Sequence, residues 1–272
     1  MSAFIVYPTS HFPKSVVALT TQRGSATHSD QLSSSRAESF VKSDYDFLNM
    51  GLHVGDSDNR VSHNRKYLQQ SLKLDGFSPT LIWINQVHGT DILEIESLEH
   101  AKRVAASTNC VDADAIYTKV DNVACCIMTA DCLPILIASD DGSEVAAVHA
   151  GWRGLARGII ESTVYKFVTP PDRLTVWIGP AISQKYFETG HELVGIFQDY
   201  MSAISPSTSS PGKVLVDIIK IAYLKCQRLG IGHVELSNEC TYSCHEQYFS
   251  YRRSSHLGHE NCGRMVSLVF KK

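Results

Sequence analysis

A chain of 272 residues, 43% hydrophobic and 19% charged, has the make-up of a globular protein with a real core. A net charge of -3 gives no electrostatic reason to expect nucleic acid or an anionic membrane as partner. The opening residues, MSAFIVYPTSHFPK, carry too short an apolar run and no basic leader for a secretory signal, and the longest apolar stretches are interrupted before reaching membrane-spanning length, so a cytoplasmic protein is expected.

In chain order, apolar runs bounded by turn signals predict strands at Val16–Thr20, Leu81–Gln86, Asp91–Glu96, Ala113–Thr118, Ala124–Thr129, Glu144–His149 and Leu174–Gly179. Further strands are expected at His233–Leu236, Tyr248–Tyr251 and Arg264–Phe270. A 3.6-residue period predicts a helix over Asn59–Leu74, where Val61, Leu68 and Leu72 share a face behind an Asp58 cap. Helices are also predicted at Leu155–Phe167, Glu192–Tyr200 and Val214–Leu229, the last stopped by Gly230. Ser25–Ser39 reads as a surface loop and Ser205–Gly212 as a linker between helices. No composition shift marks a boundary, so residues 1–272 are expected to form one mixed α/β domain containing hairpins.

Eight cysteines without a CxxC pair are expected to remain thiols in a reducing compartment, with neither a thioredoxin centre nor a zinc ribbon. Three stretches place reactive side chains where a predicted strand gives way to a turn: Asn85–Asp91 (NQVHGTD), Thr129–Pro134 (TADCLP) and Val148–Gly154 (VHAGWRG). Such strand ends are fixed by the sheet and open to solvent. Gly151 and Gly154 would let a ligand approach the backbone, a helix starting near Leu155 would aim N–H groups at an anion, and Arg153 suits phosphate or carboxylate. Pro134 is expected to interrupt a regular ladder beside Cys132. Each residue alone also reads blandly: His149 and His88 as strand-end histidines, Cys132 as a buried structural thiol. As a set, His88, Cys132 and His149 suit a catalytic zinc with a fourth position left for water or substrate.

Asn49–Asp56 (NMGLHVGD), Asn85–Gly89 (NQVHG), Asp112–Ala115 (DADA), Ala130–Leu136 (ADCLPIL), His149–Gly154 (HAGWRG), Ile178–Ile182 (IGPAI), Phe249–Arg253 (FSYRR) and Gly263-Arg264 occur in that order. Over nearly its whole length the chain resembles the YfiH/YlmD, or laccase-domain, family. The resemblance implies a monomeric α/β protein with sheets sandwiched between helices, and a zinc site of His88, Cys132 and His149. It also implies purine nucleoside phosphorolysis (adenosine, inosine, methylthioadenosine) together with adenosine deamination. The chain departs from the family at Thr20–Ser25 (TTQRGS) and in the longer Ser254–Cys262 segment, where Cys240, Cys244, His245, His256, His259 and Cys262 offer either a second metal site or a polar loop.

Asn49, Arg65, Arg153 and Arg252 are the candidate substrate-binding residues, the arginines as phosphate ligands. In deamination, water activated by the metal would attack the purine ring. A metal-free alternative makes Cys132 a thiolate nucleophile, with His149 or His88 as base and Asp112 or Asp131 as orienting acid, in an amide hydrolase acting on a peptidoglycan precursor. A third reading puts copper in the same site, with polyphenol oxidation as a side activity. Twelve histidines without a His-x-His pair do not suit a multicopper oxidase. The fourth is a non-catalytic binding module.

Overall fold

A strand that is apolar on both faces must be covered on both sides. Val123–Thr129, Leu133–Ser139 and Val145–Ala150 are buried along their whole length, so they set the centre of the molecule. The computed structural model describes residues 4–8, 11–24, 45 and 48–272; the predicted loop Ser25–Ser39 lies outside the described residues. In chain order the described elements are β1 (Ile5–Val6), β2 (Val16–Thr21), α1 (Asp58–Leu74), β3 (Thr80–Ile82), β4 (Ile92–Ile95), α2 (Leu98–Ala106), β5 (Ala115–Thr118), β6 (Val123–Thr129), β7 (Leu133–Ser139) and β8 (Val145–Ala150). They continue with α3 (Trp152–Arg157), α4 (Ile159–Val164), β9 (Leu174–Ile178), β10 (Glu188–Gly190), α5 (Glu192–Ile196), β11 (Ile204–Pro206), β12 (Lys213–Val216), α6 (Ile218–Arg228), β13 (His233–Leu236), α7 (Tyr251–His256) and β14 (Met265–Lys271).

Three mixed or antiparallel sheets result. One has the order β1-β2-β14-β6-β3, one β13-β9-β7-β8-β5-β4, and a small one β10-β12-β11. Side chains alternate across a strand, and the alternation sorts them into layers. Val123, Cys125 and Ile127 of β6 meet Leu136 and Ala138 of β7 and Val145 and Ala147 of β8 between the two large sheets. Ala124, Cys126 and Met128 face the other way, toward Leu68 and Leu72 of α1. Ile135, Ile137, Ala146 and Val148 pack against Leu155 of α3, Ile159 of α4 and Ile221 of α6. Two sheets face to face with helices outside is the expected α/β architecture.

Several predicted boundaries move, each for a local reason. Leu133–Ser139 is a central strand despite Pro134, which sits second in the strand where its carbonyl accepts from Gly179 N at 2.9 Å and no donor is required. Val214–Leu229 divides because β12 is paired on both edges and Asp217 then caps α6, accepting from Lys220 N. Ser205–Gly212 consequently belongs to a β11–β12 hairpin, not to a helix linker. The predicted Leu155–Phe167 helix is two, broken at Gly158 with φ 90°. The Glu192–Tyr200 helix stops at Ile196 and gives way to a 3-10 turn from Gln198. The Leu81–Gln86 strand ends at Ile82, and α1 is preceded by Ser57, with Asp58 already inside it. Tyr248–Tyr251 is no strand: Ser250 accepts from Arg253 N and opens α7. Helix α2, behind Ser97, escaped the sequence pattern altogether. Gly230 does end α6, at φ 75°. Among the described residues no helix is long and apolar enough to cross a membrane.

Candidate metal and substrate site

The open end of the β7–β8 hairpin gathers the three predicted donors. Cys132 immediately precedes β7, His149 is the penultimate residue of β8, and His88 lies on the loop between β3 and β4. One ligand atom from each lies within 4.8 Å of the others. Cys132 Sγ is 4.0 Å from His88 Nε2, and the two imidazoles meet edge to face with centroids 4.9 Å apart.

A carboxylate not singled out as the orienting acid holds this arrangement. Asp114, fully buried, accepts from the backbone N–H of Val87 (3.2 Å), His88 (3.0 Å) and Gly89 (2.6 Å), and from His149 Nδ1 (2.7 Å). Since a carboxylate only accepts, His149 Nδ1 carries the proton of that hydrogen bond, and Nε2 is the atom a metal would take once it displaces the proton there. The orienting acid is therefore Asp114. Asp112 is exposed and accepts from Asn85 Nδ2, while Asp131 accepts from Thr241 Oγ1 and Arg252 N. His88 at φ 59° and Asp131 at φ 100° both occupy left-handed backbone that non-glycine residues avoid. Such conformations persist where surroundings fix them, here Asp114 for the first and Thr241 with Arg252 for the second.

The thiols divide sharply. Burial pushes Cys126 up to about 12 and Cys125 well above its ordinary value, so both are inert core groups. Burial acts the same way on Cys132, but the charge and hydrogen bonds of His149 and His88 outweigh it and bring the thiol down to about 6. Burial alone would lower His149; the Cys132 thiolate and the Asp114 carboxylate overcome it and raise the imidazole to about 9. At neutral pH the pair is a thiolate beside an imidazolium, ready to exchange that proton for a cation. Two imidazoles, one ionised thiol and a fixed tautomer make a donor set that fits zinc.

The glycines of the GWRG turn serve protein contacts, contrary to the expected ligand cradle. A Cβ on Gly151 would lie 2.7 Å from His88 Cδ2 and 3.2 Å from Cys132 Sγ, and one on Gly154 would lie 2.9 Å from Gly89 O. They let α3 close onto the His88 loop.

A cleft of about 280 Å³ opens over the three donors, near the lower end of the usual range for small-molecule pockets. Of the four predicted substrate-binding residues, only Arg252 lines it. Asn49 is buried: its carbonyl oxygen accepts from Gly51 N and Arg264 N, and its amide donates to Asp56. Arg65 donates twice to Met50 O and stacks over Trp83 at 3.9 Å. Arg153 is exposed and lies over Trp152. Asn49 and Arg65 thus shape the 49–56 loop, and Arg153 points elsewhere. Missed at the sequence level were Arg264, His53 and Thr129, all lining the cleft. Thr129 Oγ1 is buried without a hydrogen-bond partner among the described residues. The ordered motifs held His53 and Arg264; nothing in them marked Thr129. Burial, then Arg264 and Arg65, lower His53 below the ordinary imidazole value. The C-terminal cysteines and histidines form no ligand group among the described residues: Cys262 is buried beside Arg264, and His256 Nδ1 bonds with Tyr242 Oη.

The profile of a family described as multi-copper polyphenol oxidoreductase laccase matches residues 30–272. A Haemophilus influenzae protein named purine nucleoside phosphorylase is 35% identical over 270 residues, covering 97% of this chain and 98% of its own. A Pseudomonas aeruginosa protein of the same name is 39% identical over 230 residues, covering 83% and 86%. The crystal structure of a Neisseria meningitidis protein superposes with a TM-score of 0.81 at 33% identity, over 98% of this chain and 99% of that one. The crystal structure of YlmD from Geobacillus stearothermophilus gives 0.76 at 27% identity, over 95% and 93%.

Proposed function

The chain belongs to the laccase-like family that includes YfiH and YlmD, and from that premise we propose that it is a zinc-dependent purine nucleoside phosphorylase with adenosine deaminase activity, acting as a single-domain monomer in the cytoplasm. The observation that carries the reading is the convergence of His88, Cys132 and His149 beneath a cleft that two arginines line. Eight unpaired thiols accord with a reducing compartment.

His88, Cys132 and His149 would hold the zinc, Asp114 fixing the ring of one and the loop of another. When bound, zinc supplies Lewis-acid polarisation of an oxygen ligand. Arg252, whose Nη1 also donates to Tyr186 O and Glu188 O, and Arg264, whose Nη1 also donates to Cys262 O, line the cleft and attract phosphate, whose oxygen forms a bond to the ribose C1′ as the bond from C1′ to purine nitrogen breaks. The departing electron pair stays on the purine nitrogen, which takes up the proton that dihydrogen phosphate gives up; His53, a neutral imidazole in the cleft, relays it, accepting at one ring nitrogen as it donates from the other. Met128, Ile182, Phe187 and Tyr251 give the purine an apolar wall, and Thr129 Oγ1 offers a hydroxyl. Asn49, Arg65 and Arg153 lie outside the lining of the cleft, so phosphate binding rests on Arg252 and Arg264.

The test is to incubate zinc-loaded protein with adenosine, with and without phosphate, and identify products by mass. Adenine with ribose 1-phosphate, formed only with phosphate, is expected, with inosine from deamination; neither product overturns the reading.

One observation favours a second reading. Cys132, His149 and Asp114 form a thiolate–imidazolium–carboxylate series in the metal-free protein, the arrangement a cysteine amide hydrolase uses. Metal-free protein alkylated rapidly at Cys132, and active on a peptidoglycan-precursor amide, would support it. Copper in the same donors would underlie a side oxidase activity, since nitrogen and sulfur bind copper more tightly than zinc.

A further inference from the structure

Outside the cleft, a second group of metal-ligand side chains lies at the edge of the six-stranded sheet. β13 is that sheet's outer strand, paired among the described residues with β9 alone. His233 and Glu235 are two residues apart on it, and a period of two puts them on one face. His11, between β1 and β2, arrives over the same place: Thr175, the register partner of His233, donates its Oγ1 to His11 O at 3.4 Å. The His11 and His233 rings lie face to face with centroids 3.6 Å apart, so the half-exposed His11 ring turns for both imidazoles to reach one cation, and His11 Nδ1 is 3.8 Å from Glu235 Oε2. One ligand atom from each of the three residues lies within 4.8 Å of the others.

We infer that His11, His233 and Glu235 form a second divalent transition-metal site that takes zinc and pins the segment between β1 and β2 to the sheet edge. The donor set points to this. Two imidazoles and one carboxylate are the ligands of many three-donor zinc centres. His233 Nε2 is buried without a hydrogen-bond partner among the described residues, a costly state for an imidazole nitrogen and one that a ligand relieves. His11, half exposed, leaves a path from solvent, while Glu235 is mostly covered. The site lacks sulfur, so its zinc is held less tightly than that of Cys132 and exchanges with cobalt or nickel more readily. Its role is structural: a cation shared between β13 and the segment that carries His11 ties that segment down over one face of the sheet beside its edge.

Full-length protein without an affinity tag, dialysed against excess zinc, tests the inference by metal content and thermal melting. Two zinc per chain are expected in the wild type and one in His233→Ala. In Cys132→Ala, one zinc should remain, and its addition should raise the melting temperature. His11→Ala, on the exposed segment, repeats the test without altering the strand and should also lose one zinc. Equal zinc content in wild type, His233→Ala and His11→Ala, or a Cys132→Ala protein that neither binds nor is stabilised by zinc, would overturn it.

Discussion

The two ends of the β7–β8 hairpin use one physical device for different purposes. At the closed end Glu144 is buried and accepts from Tyr117 Oη, Val168 N, Thr169 N and Thr169 Oγ1. At the open end Asp114 is buried and accepts from Val87 N, His88 N, Gly89 N and His149 Nδ1. In both, hydrogen-bond donors outweigh the cost of burial and hold the carboxylate below its usual range. The closed end ties a connecting segment to a strand and stops there. The open end ties down a loop that carries one of the two candidate ligand histidines while orienting the other. A buried acid becomes functional through what its donors carry, not through its own charge.

Substitutions can break this contrast, and the largest effect is expected at the donors themselves. Cys132→Ala should lose the tightly held zinc and bring phosphorolysis to background, read by metal analysis and product assay. Asp114→Asn should come next, lowering zinc affinity or activity by about 10–100-fold, as loss of a partner behind a metal ligand does. Gly151→Ala should force a methyl against His88 and Cys132, destabilising by about 1–3 kcal/mol as overpacking and weakening zinc binding in the same protein. Glu144→Gln, the closed-end counterpart, should cost about 1–3 kcal/mol in denaturant unfolding yet leave zinc content and turnover untouched. Equal losses of zinc in the two acid variants would erase the distinction.

The smallest effect concerns pH. His149 is raised to about 9 when folded, so its contribution is fully present below the unfolded imidazole value and is lost as pH rises through about 9. Cys132 is lowered to about 6, so its contribution is present above the unfolded thiol value and is lost as pH falls through about 6. Across the range between those values the two slopes run in opposite directions and cancel, so metal-stripped protein should melt at a nearly constant temperature from about pH 6.5 to 9 and slightly lower below about pH 6. Asp114→Asn, which removes one support of the raised His149, should tilt that plateau so that stability rises toward pH 9, and alkylation of Cys132 should persist to about pH 6.

The donors were legible in the sequence because His88, Cys132 and His149 each interrupt an apolar run at a turn. The acid behind them was not. Asp112 and Asp114 stand two apart in the DADA motif before β5 has begun, so alternation gives them the same face. Only the fold shows that one reaches the solvent and the other meets three amides and an imidazole. Arginines misled for a related reason: a guanidinium that suits phosphate suits carbonyls and aromatic rings equally, as Arg65 on Met50 O and Trp83 demonstrates. The layered sheets followed from apolar runs, whereas Val214–Val216 reads as helix or strand until its pairing on two edges and the Asp217 cap decide it.

Zinc K-edge X-ray absorption on untagged protein carrying one zinc per chain tests the central claim most directly. A sulfur scatterer at about 2.3 Å with nitrogen at about 2.0 Å is expected, the sulfur disappearing in Cys132→Ala. A spectrum of nitrogen and oxygen alone, identical in wild type and Cys132→Ala, would contradict it.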